Sequence, residues 1–377
     1  MMKKIEEIIQ ISKGKKPKLI SKVLEKGLMP YVDIKAFEQK IIDNYTDGEK
    51  CLPCEDGDLL IVCDGSRSGL VGRAVKGYVG STLARIDIDK SVLPEYIYHF
   101  NQGKYIQLNT SIKGTGTPHL NQELLKSFEL YVPPLEDQHR IVSRIEELFS
   151  QLDSGVETLK KTKEQLKVYR QAVLKEAFDE CDSRVDVDSV CCHITDGDHM
   201  PPPKSPEGIP FIMISNIYGN KINWENTAFV NEDYYNNIDY KRKPQKGDVL
   251  YTVTGSFGIP VLVEFDKQFC FQRHIALLRP SEKIDQKFLY YVMQAPEVYS
   301  QASKGSTGTA QKTVGLGVLR KILIPYTDSI EIQNRIVTEI ESRLSVCDSI
   351  EKTIDTALQE AEALRQSILK QAFEGGL

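Results

Sequence analysis

The sequence predicts an α+β protein with a pseudo-twofold internal repeat: two mixed α/β domains and two long helices, each helix carrying an apolar stripe that needs a partner. Three observations carry this prediction. The phrase VPPLEDQHRIV at 132–142 returns at 324–337 as IPYTDSIEIQNRIV. After each copy comes a proline-free stretch with apolar residues seven apart. Before each copy comes a glycine-punctuated stretch of short apolar runs. Self-similarity of this kind marks a duplicated structural unit.

Residues 1–135 form the first domain. Asp58-Leu-Leu-Ile-Val-Cys63 is a short apolar run bounded by glycine, hence a buried strand, and Leu93–Asn101 has the pattern of a short helix. Residues 136–180 form the first long helix. Ile145, Leu152, Leu159, Leu166 and Val173 fall seven apart, and Val142, Phe149, Val156, Lys163, Arg170 and Ala177 fill the complementary heptad position.

Residues 181–330 repeat the first domain. Gly247-Asp248-Val249-Leu250 matches Gly57-Asp58-Leu59-Leu60, Gly255-Ser256 matches Gly65-Ser66, and Ile209-Pro-Phe-Ile212 faces Met29-Pro-Tyr-Val32. Ser306-Thr-Gly-Thr309 faces Gly114-Thr-Gly-Thr117. Ile209–Ile214, Asp248–Val253 and Ile275–Leu278 read as strands, and Phe288–Gln294 as a helix. Residues 331–377 are the second long helix, with Ile340, Cys347, Ile354, Ala361 and Ile368 in one heptad position. Val337, Leu344, Glu351, Leu358, Arg365 and Ala372 occupy the other. From Gln138 onward the offset is constant: Gln138, Arg140, Asp153, Arg170 and Phe178 recur as Gln333, Arg335, Asp348, Arg365 and Phe373.

Each helical segment runs about 67 Å at 1.5 Å per residue. One apolar stripe on so long a helix needs a partner. Packing on its own globular unit is the other solution, but the helix would far outreach a domain of that size. Lys163 and Glu351 interrupt the apolar seam. If the two helices pair antiparallel, these residues fall within a turn of each other and are expected to pair and help set register; the alternative is that both reach out to water.

Composition narrows the function. A hydrophobic fraction of 41% and a charged fraction of 27% suit a globular protein. No apolar run approaches the ~18 residues of a membrane span, and Met-Met-Lys-Lys-Ile-Glu-Glu turns acidic where a signal peptide turns apolar. A cytoplasmic location away from membranes is expected. Eight cysteines are scattered, and Cys51-Leu-Pro-Cys54 has no second CxxC to complete a zinc site, so reduced structural thiols are expected. The net charge of −5 is awkward for a nucleic-acid binder. The acidic excess sits mainly in the two helical segments, which leaves room for local basic surfaces.

No phosphate loop, HExxH or Asn-Pro-Pro-Tyr-like methyltransferase motif is present, nor a paired-carboxylate nuclease signature. No catalysis, metal or cofactor is expected of the chain itself. Asp196, Asp198 and His199 lack a second ligand set, and Asp-Gly-Asp is more often a turn.

The full chain resembles the specificity subunits of type I restriction-modification systems. Their phrase of Ile-Pro, a spacer and Glu-x-Gln-x-Arg-Ile before a long helix occurs twice, each copy after a Gly-Thr-Gly-Thr-like loop. Ile194-Thr-Asp-Gly-Asp-His-Met-Pro201 is similar to the Asp-Gly-x-His-x-x-Pro opening of many target recognition domains, where the first unit carries Ile11-Ser-Lys-Gly-Lys-Lys-Pro17 instead. The resemblance implies two target recognition domains, held apart by the two long helices packed as an antiparallel coiled coil, each domain reading half of a split double-stranded DNA site. It also implies helices that act as a ruler and bind two methyltransferase subunits. Those partners, with the restriction and motor subunits, would supply S-adenosylmethionine, ATP and Mg²⁺ chemistry. The other reading is a non-catalytic coiled-coil scaffold whose two modules do not bind DNA.

Candidate DNA contacts follow from side-chain chemistry. Lys13, Lys15, Lys16 and Lys18 form a non-helical basic run suited to phosphate, or simply a solvated loop; Lys204, Lys241, Arg242 and Lys243 are the counterparts in the second unit. Base reading needs Arg for guanine and Asn or Gln for adenine. The candidates are Arg67 and Arg73 in the first unit, and Asn216, Arg273, His274 and Gln311 in the second; His199, in the loop that leads to Lys204, is a further DNA-contact candidate. Ser66, Ser256, Thr115, Thr117, Thr307 and Thr309 suit phosphate or sugar, or else ordinary turns.

Overall fold

The computed structural model describes residues 1–111, 118–198, 202–309 and 311–374. The chain divides into two compact units, Met1–Leu159 with Asp355–Leu377, and Lys160–Ile354. The boundary falls inside both long helices, Leu135–Ala177 and Ile330–Glu374, so each unit owns part of each helix.

In the first unit, four antiparallel strands lie in the order Ile9–Lys13, Leu83–Ile88, Leu59–Val62, Val71–Arg73. A second sheet orders Tyr45–Thr46, Met29–Val32, Gly77–Val79 and Pro53–Cys54, with Met29–Val32 parallel to Gly77–Val79. The apolar run Leu59-Leu-Ile-Val62 is continuous because both of its faces are buried. Leu59 and Ile61 point into one core with Tyr96, Ile97 and Phe100, while Leu60 and Val62 point into another with Val32, Phe37 and Val79. Alternate side chains of a strand face opposite ways, so a strand between two cores must be apolar at every position. Gly57 precedes it at φ +88°, and the Asp58 carboxylate accepts from the Glu55 N–H at 2.9 Å, closing the entry turn.

The second unit repeats the plan. Cys191–Asp196, Ile275–Pro280, Val249–Thr252 and Pro260–Leu262 form the four-stranded sheet. Ile209–Ile212 again pairs in parallel, here with Cys270–Phe271. Gly247 is at φ +96°, and Asp248 accepts from Gln245 N–H at 2.7 Å, so the repeated Gly-Asp phrase is one turn built twice. The two units diverge where proline intervenes. The first has one helix, Pro94–Thr110, longer than the sequence pattern indicates. The second has Gln286–Val292 and then a separate Pro296–Gly305, because a proline ring cannot sit inside a continuing helix.

The repeated glutamine explains the repeated phrase. Gln138, in the first turn of the central helix, is fully buried: it accepts from Leu93 N–H at 2.8 Å and donates to Ser91 O at 3.0 Å and Pro133 O at 2.8 Å. Gln333 accepts from Asp285 N–H at 2.7 Å and donates to Lys283 O at 3.1 Å and Thr327 O at 2.8 Å. Each amide fastens the start of a long helix to the N-cap residue of a helix in its own globular unit.

The long helices pack on each other within each unit, running antiparallel. In the first, Ile145 and Phe149 meet Ile368, Leu369 and Ala372, and Arg365 pairs with Asp153 while lying over the Phe149 ring. In the second, Arg170 pairs with Asp348, so the repeat writes one interhelical ion pair twice. Lys163 Nζ lies 3.8 Å from Glu351 Oε1, as the antiparallel reading expects, and Arg170 reaches Glu351 more closely, at 3.2 Å. All eight cysteines are free thiols. Burial pushes the Cys54 thiol up to about 11. Among the described residues, no helix is long and apolar enough to cross a membrane.

Candidate nucleic-acid interface

The sheet that begins with Ile9–Lys13 in the first unit and the one that begins with Cys191–Asp196 in the second each have one end at which four loops meet. In the first unit this end is defined by Lys13, Val62 and Leu83, which terminate or begin their strands there. Gly14 N–H donates to Leu83 O at 2.9 Å, Cys63 N–H to Thr82 O at 2.8 Å, and Gly65 N–H to Pro118 O at 2.9 Å. In the second unit, Gly197 N–H donates to Ile275 O at 3.4 Å, Val253 N–H to His274 O at 2.9 Å, and Gly255 N–H to Lys312 O at 2.9 Å. The same backbone bonds tie the same four loops together. A Cβ on Gly14 would lie 2.3 Å from two carbonyl oxygens, and one on Gly197 2.0 Å from Phe271 O, so only glycine fits at this crossing.

The side chains on this shared framework differ. Lys13-Gly14-Lys15 stands where the second unit has Asp196-Gly197-Asp198. Lys13 pairs with Asp64 at 2.8 Å, and His119 Nδ1 lies 2.7 Å from the same carboxylate. Burial acts to raise the Asp64 pKa, but Lys13 and His119 outweigh it and hold it below the usual carboxylate value. The corresponding bridge in the second unit joins Thr254 to Thr313. None of Asp64, His119, Thr254 and Thr313 stands out in the sequence; the Gly65-Ser66 and Gly255-Ser256 match, read one residue upstream, is the signal that leads to the first and third.

Of the candidates in the first unit, Lys15, Lys16, Ser66 and Arg67 are exposed in the loops of this end. Arg67 is held by Glu38, and Lys18 by Glu49 at 3.2 Å. Arg73 sits at the opposite end of the sheet, opposite Leu59, where it pairs with Glu95 at 3.0 Å, donates to Gly57 O at 3.0 Å and covers the Tyr98 ring. It is separated from the others. Thr115 and Thr117 lie outside the described residues.

In the second unit, Lys204, Arg273 and His274 line a pocket of about 260 Å³ floored by Phe211, Met213 and Phe229. Arg273 and His274 also line a neighbouring pocket of about 340 Å³ with Gln311, Thr254 and Thr313. Burial, with Arg273 beside it, lowers the His274 pKa, which favours a neutral imidazole with one donor and one acceptor at pH 7. Ser256, Thr307 and Thr309 are exposed, and Thr307 and Thr313 exchange backbone bonds of 2.9 and 2.8 Å. Arg242 is turned onto Asp198 at 3.3 Å and Asp196 at 3.8 Å. Asp198 also accepts from the Tyr234 hydroxyl. Lys241 and Lys243 lie over the rings of Tyr240 and Tyr235. Asn216 is buried: its side chain accepts from Met213 N–H at 3.0 Å and donates to Asn223 O at 3.2 Å, which leaves it a turn-forming role and no free edge for a base. His199 lies outside the described residues.

The family described as type I restriction modification DNA specificity domain matches residues 1–168 and again 193–360. The chain belongs to this family. The double match coincides with the duplicated framework just described. Among its relatives, the type I restriction enzyme MjaVIII specificity subunit of Methanocaldococcus jannaschii is 26% identical over 348 residues, covering 85% of this chain and 81% of the relative. The EcoBI specificity subunit of Escherichia coli is 26% identical over 351 residues, covering 85% and 73%. A chain solved in work on complex assembly and conformational transition of the type I R-M system superposes with a TM-score of 0.76 at 20% identity, covering 100% of this chain and 98% of the other. The HsdS subunit from Thermoanaerobacter tengcongensis gives 0.55 at 19% identity, covering 100% and 97%. At that identity, the likeness to these solved structures is one of fold.

Proposed function

We propose that the chain is the sequence-reading subunit of a type I restriction-modification complex and is itself non-catalytic. Residues 1–135 and 181–330 are its two target recognition domains, one per half of a bipartite double-stranded DNA site. The helices of 136–180 and 331–377 are the spacer on which two methyltransferase subunits dock, with restriction and motor subunits joining through the complex. The observation that carries this reading is one loop framework built twice with different side chains on it. Two weak readers on one chain gain strength through effective concentration, and unlike loops let the two half-sites differ.

Within this reading, Lys15, Lys16, Lys204, Ser66, Ser256, Thr307 and Thr309 contact phosphate or sugar, and Arg273, His274 and Gln311 face base edges. Lys13, Lys18, Arg67, Arg73, Arg242 and Asn216 serve the protein's own structure first. Exchanging residues 1–135 for the equivalent unit of a relative should change one half of a two-part methylation motif in cells. If both halves change together, or neither does, the modular assignment is wrong.

The net charge of −5 favours the competing scaffold reading. Retention of the assembled complex on DNA in low salt, lost as salt rises, separates the two, because phosphate contacts release counterions.

A further inference from the structure

The arginines of this protein are committed to carboxylates with one exception. Among the described residues, every arginine except Arg273 lies within ion-pair distance of an Asp or Glu. Arg273 is exposed and has none. Acidic groups are not lacking nearby. Its own backbone N–H donates to Asp198 O at 3.2 Å, but the Asp198 carboxylate is taken by Tyr234 and Arg242, and Asp196 also faces Arg242. The neighbouring network thus satisfies its own charges and leaves this guanidinium with its donors unspent.

Its position is also particular. Arg273 lies on the rim shared by the two pockets of the second unit, between the apolar floor of Phe211, Met213 and Phe229 and the polar wall of Thr254, Gln311 and Thr313. The framework does not require an arginine there. Gln272 N–H donates to Ile212 O just as Gly80 N–H donates to Val32 O, so the residue at the same backbone position of the first unit is Ser81. Ser81 is a small side chain whose N–H is bonded to the Tyr31 hydroxyl. A side chain with no ion-pair partner among the described residues, exposed beside two pockets and carrying a rigid fork of donors, suits recognition of a planar acceptor pair.

Resting on the DNA-reading function proposed above, we infer that Arg273 is the specificity-determining residue with which the second recognition domain reads a guanine, donating to its O6 and N7 in the major groove. Lys204, exposed on the rim of the apolar pocket, is placed for the flanking phosphate.

The test uses the chain co-expressed with the methyltransferase subunits of its complex, with methylated sites mapped across the genome. The wild type should give a two-part motif with a guanine in the half that survives exchange of residues 1–135. Arg273→Ala should make that G·C pair degenerate, with discrimination falling roughly 5- to 150-fold, and leave the other half unchanged. Arg273→Gln should move the preference from guanine to adenine at the same position, a gain that a misfolded variant cannot produce. An unchanged motif in Arg273→Gln overturns the inference, as does degeneracy at an A·T pair. So does uniform weakening at all sequences, the mark of a phosphate contact. A wild-type complex that directs no sequence-specific methylation removes the DNA-reading function, and this inference with it. A two-part wild-type motif indifferent to Arg273 removes only the inference.

Discussion

Truncating Gln138 to alanine probes how the long helices are fastened to their globular units. The Gln138 amide satisfies one backbone donor, Leu93 N–H, and two acceptors, Ser91 O and Pro133 O, with no exposure to solvent. Alanine strands all three. A stranded buried polar group costs about 1–3 kcal/mol, and water entering the vacated polar space recovers part of it. The expected net loss is about 2–4 kcal/mol. Gln333→Ala should be milder by about 1 kcal/mol, because Lys283 O keeps the Tyr326 hydroxyl at 3.2 Å and one fewer group is stranded. Amide hydrogen exchange reads this locally. In Gln138→Ala the Leu93 amide should exchange roughly 30-fold faster or more, while the Asp285 amide keeps its protection. Gln138→Glu separates hydrogen bonding from packing: it keeps the size and the acceptor for Leu93, but sets an oxygen against two carbonyl oxygens. It should be at least as damaging as alanine. A neutral Gln138→Glu, or full protection of the Leu93 amide in Gln138→Ala, would refute the argument.

Three further outcomes are expected. Reversing Lys15 and Lys16 to Glu should weaken DNA binding by the assembled complex alike at all sequences and reduce the slope of log affinity against log salt by about 2; loss confined to one base pair would mean that these lysines read bases. Lys163→Glu should lower stability in a denaturant titration by about 0.5–1 kcal/mol, the pair being about one-third exposed, and Glu351→Lys by more, since Glu351 also serves Arg170. The double exchange should rescue only in part, because the ammonium that replaces the Glu351 carboxylate would face Arg170; strictly additive losses would show that the pair does not interact. For Asp64, the folded-state pKa is depressed, so its contribution is present above the ordinary carboxylate value of 3.8 and lost as pH falls through the folded value. Asp64→Asn should therefore destabilise the protein by about 0.5–1 kcal/mol at pH 7, with the difference vanishing below that range; a difference that grows on acidification would contradict the sign.

The sequence carries the framework well because the framework is made of local signals. The heptads of the two helices, the Gly57-Asp58 and Gly247-Asp248 turns, and the matching Met29–Val32 and Ile209–Ile212 strands each rest on residues close together in the chain. The closeness of Lys163 to Glu351 follows from their heptad positions once the helices are taken as antiparallel, a direction that the family resemblance supplies and periodicity does not. The site is less legible because a side chain's availability depends on distant partners. Nothing near Arg73 announces that Glu95 and the Tyr98 ring will hold it, or near Arg67 that Glu38 will. Asn216 has the right chemistry for adenine, yet its amide closes a turn with Asn223. Conversely, Arg273 looks like any surface arginine until every other arginine is seen to be engaged.

The opposite charges at equivalent positions resolve the difficulty posed by the acidic net charge. Lys13 and Lys15 flank the tight glycine in the first unit, and Asp196 and Asp198 flank it in the second. Taken as formal charge, one loop end would attract DNA and the other repel it. The internal pairings reverse that expectation. In the first unit Lys13 is spent on Asp64, while the exposed Lys15 and Lys16 have no carboxylate partner among the described residues. In the second, Asp196 and Asp198 are turned toward Arg242 and Tyr234, while the exposed Arg273 remains unpaired among them. Each unit therefore presents uncompensated cations at the same end of the same sheet, reached from opposite sequences. What reaches a phosphate or a base is the charge left after internal pairing, so an acidic chain can carry two basic reading ends. Because the common requirement is only a glycine crossing and an apolar sheet beneath it, the flanking side chains are free to differ, and two halves of one fold can read two different half-sites.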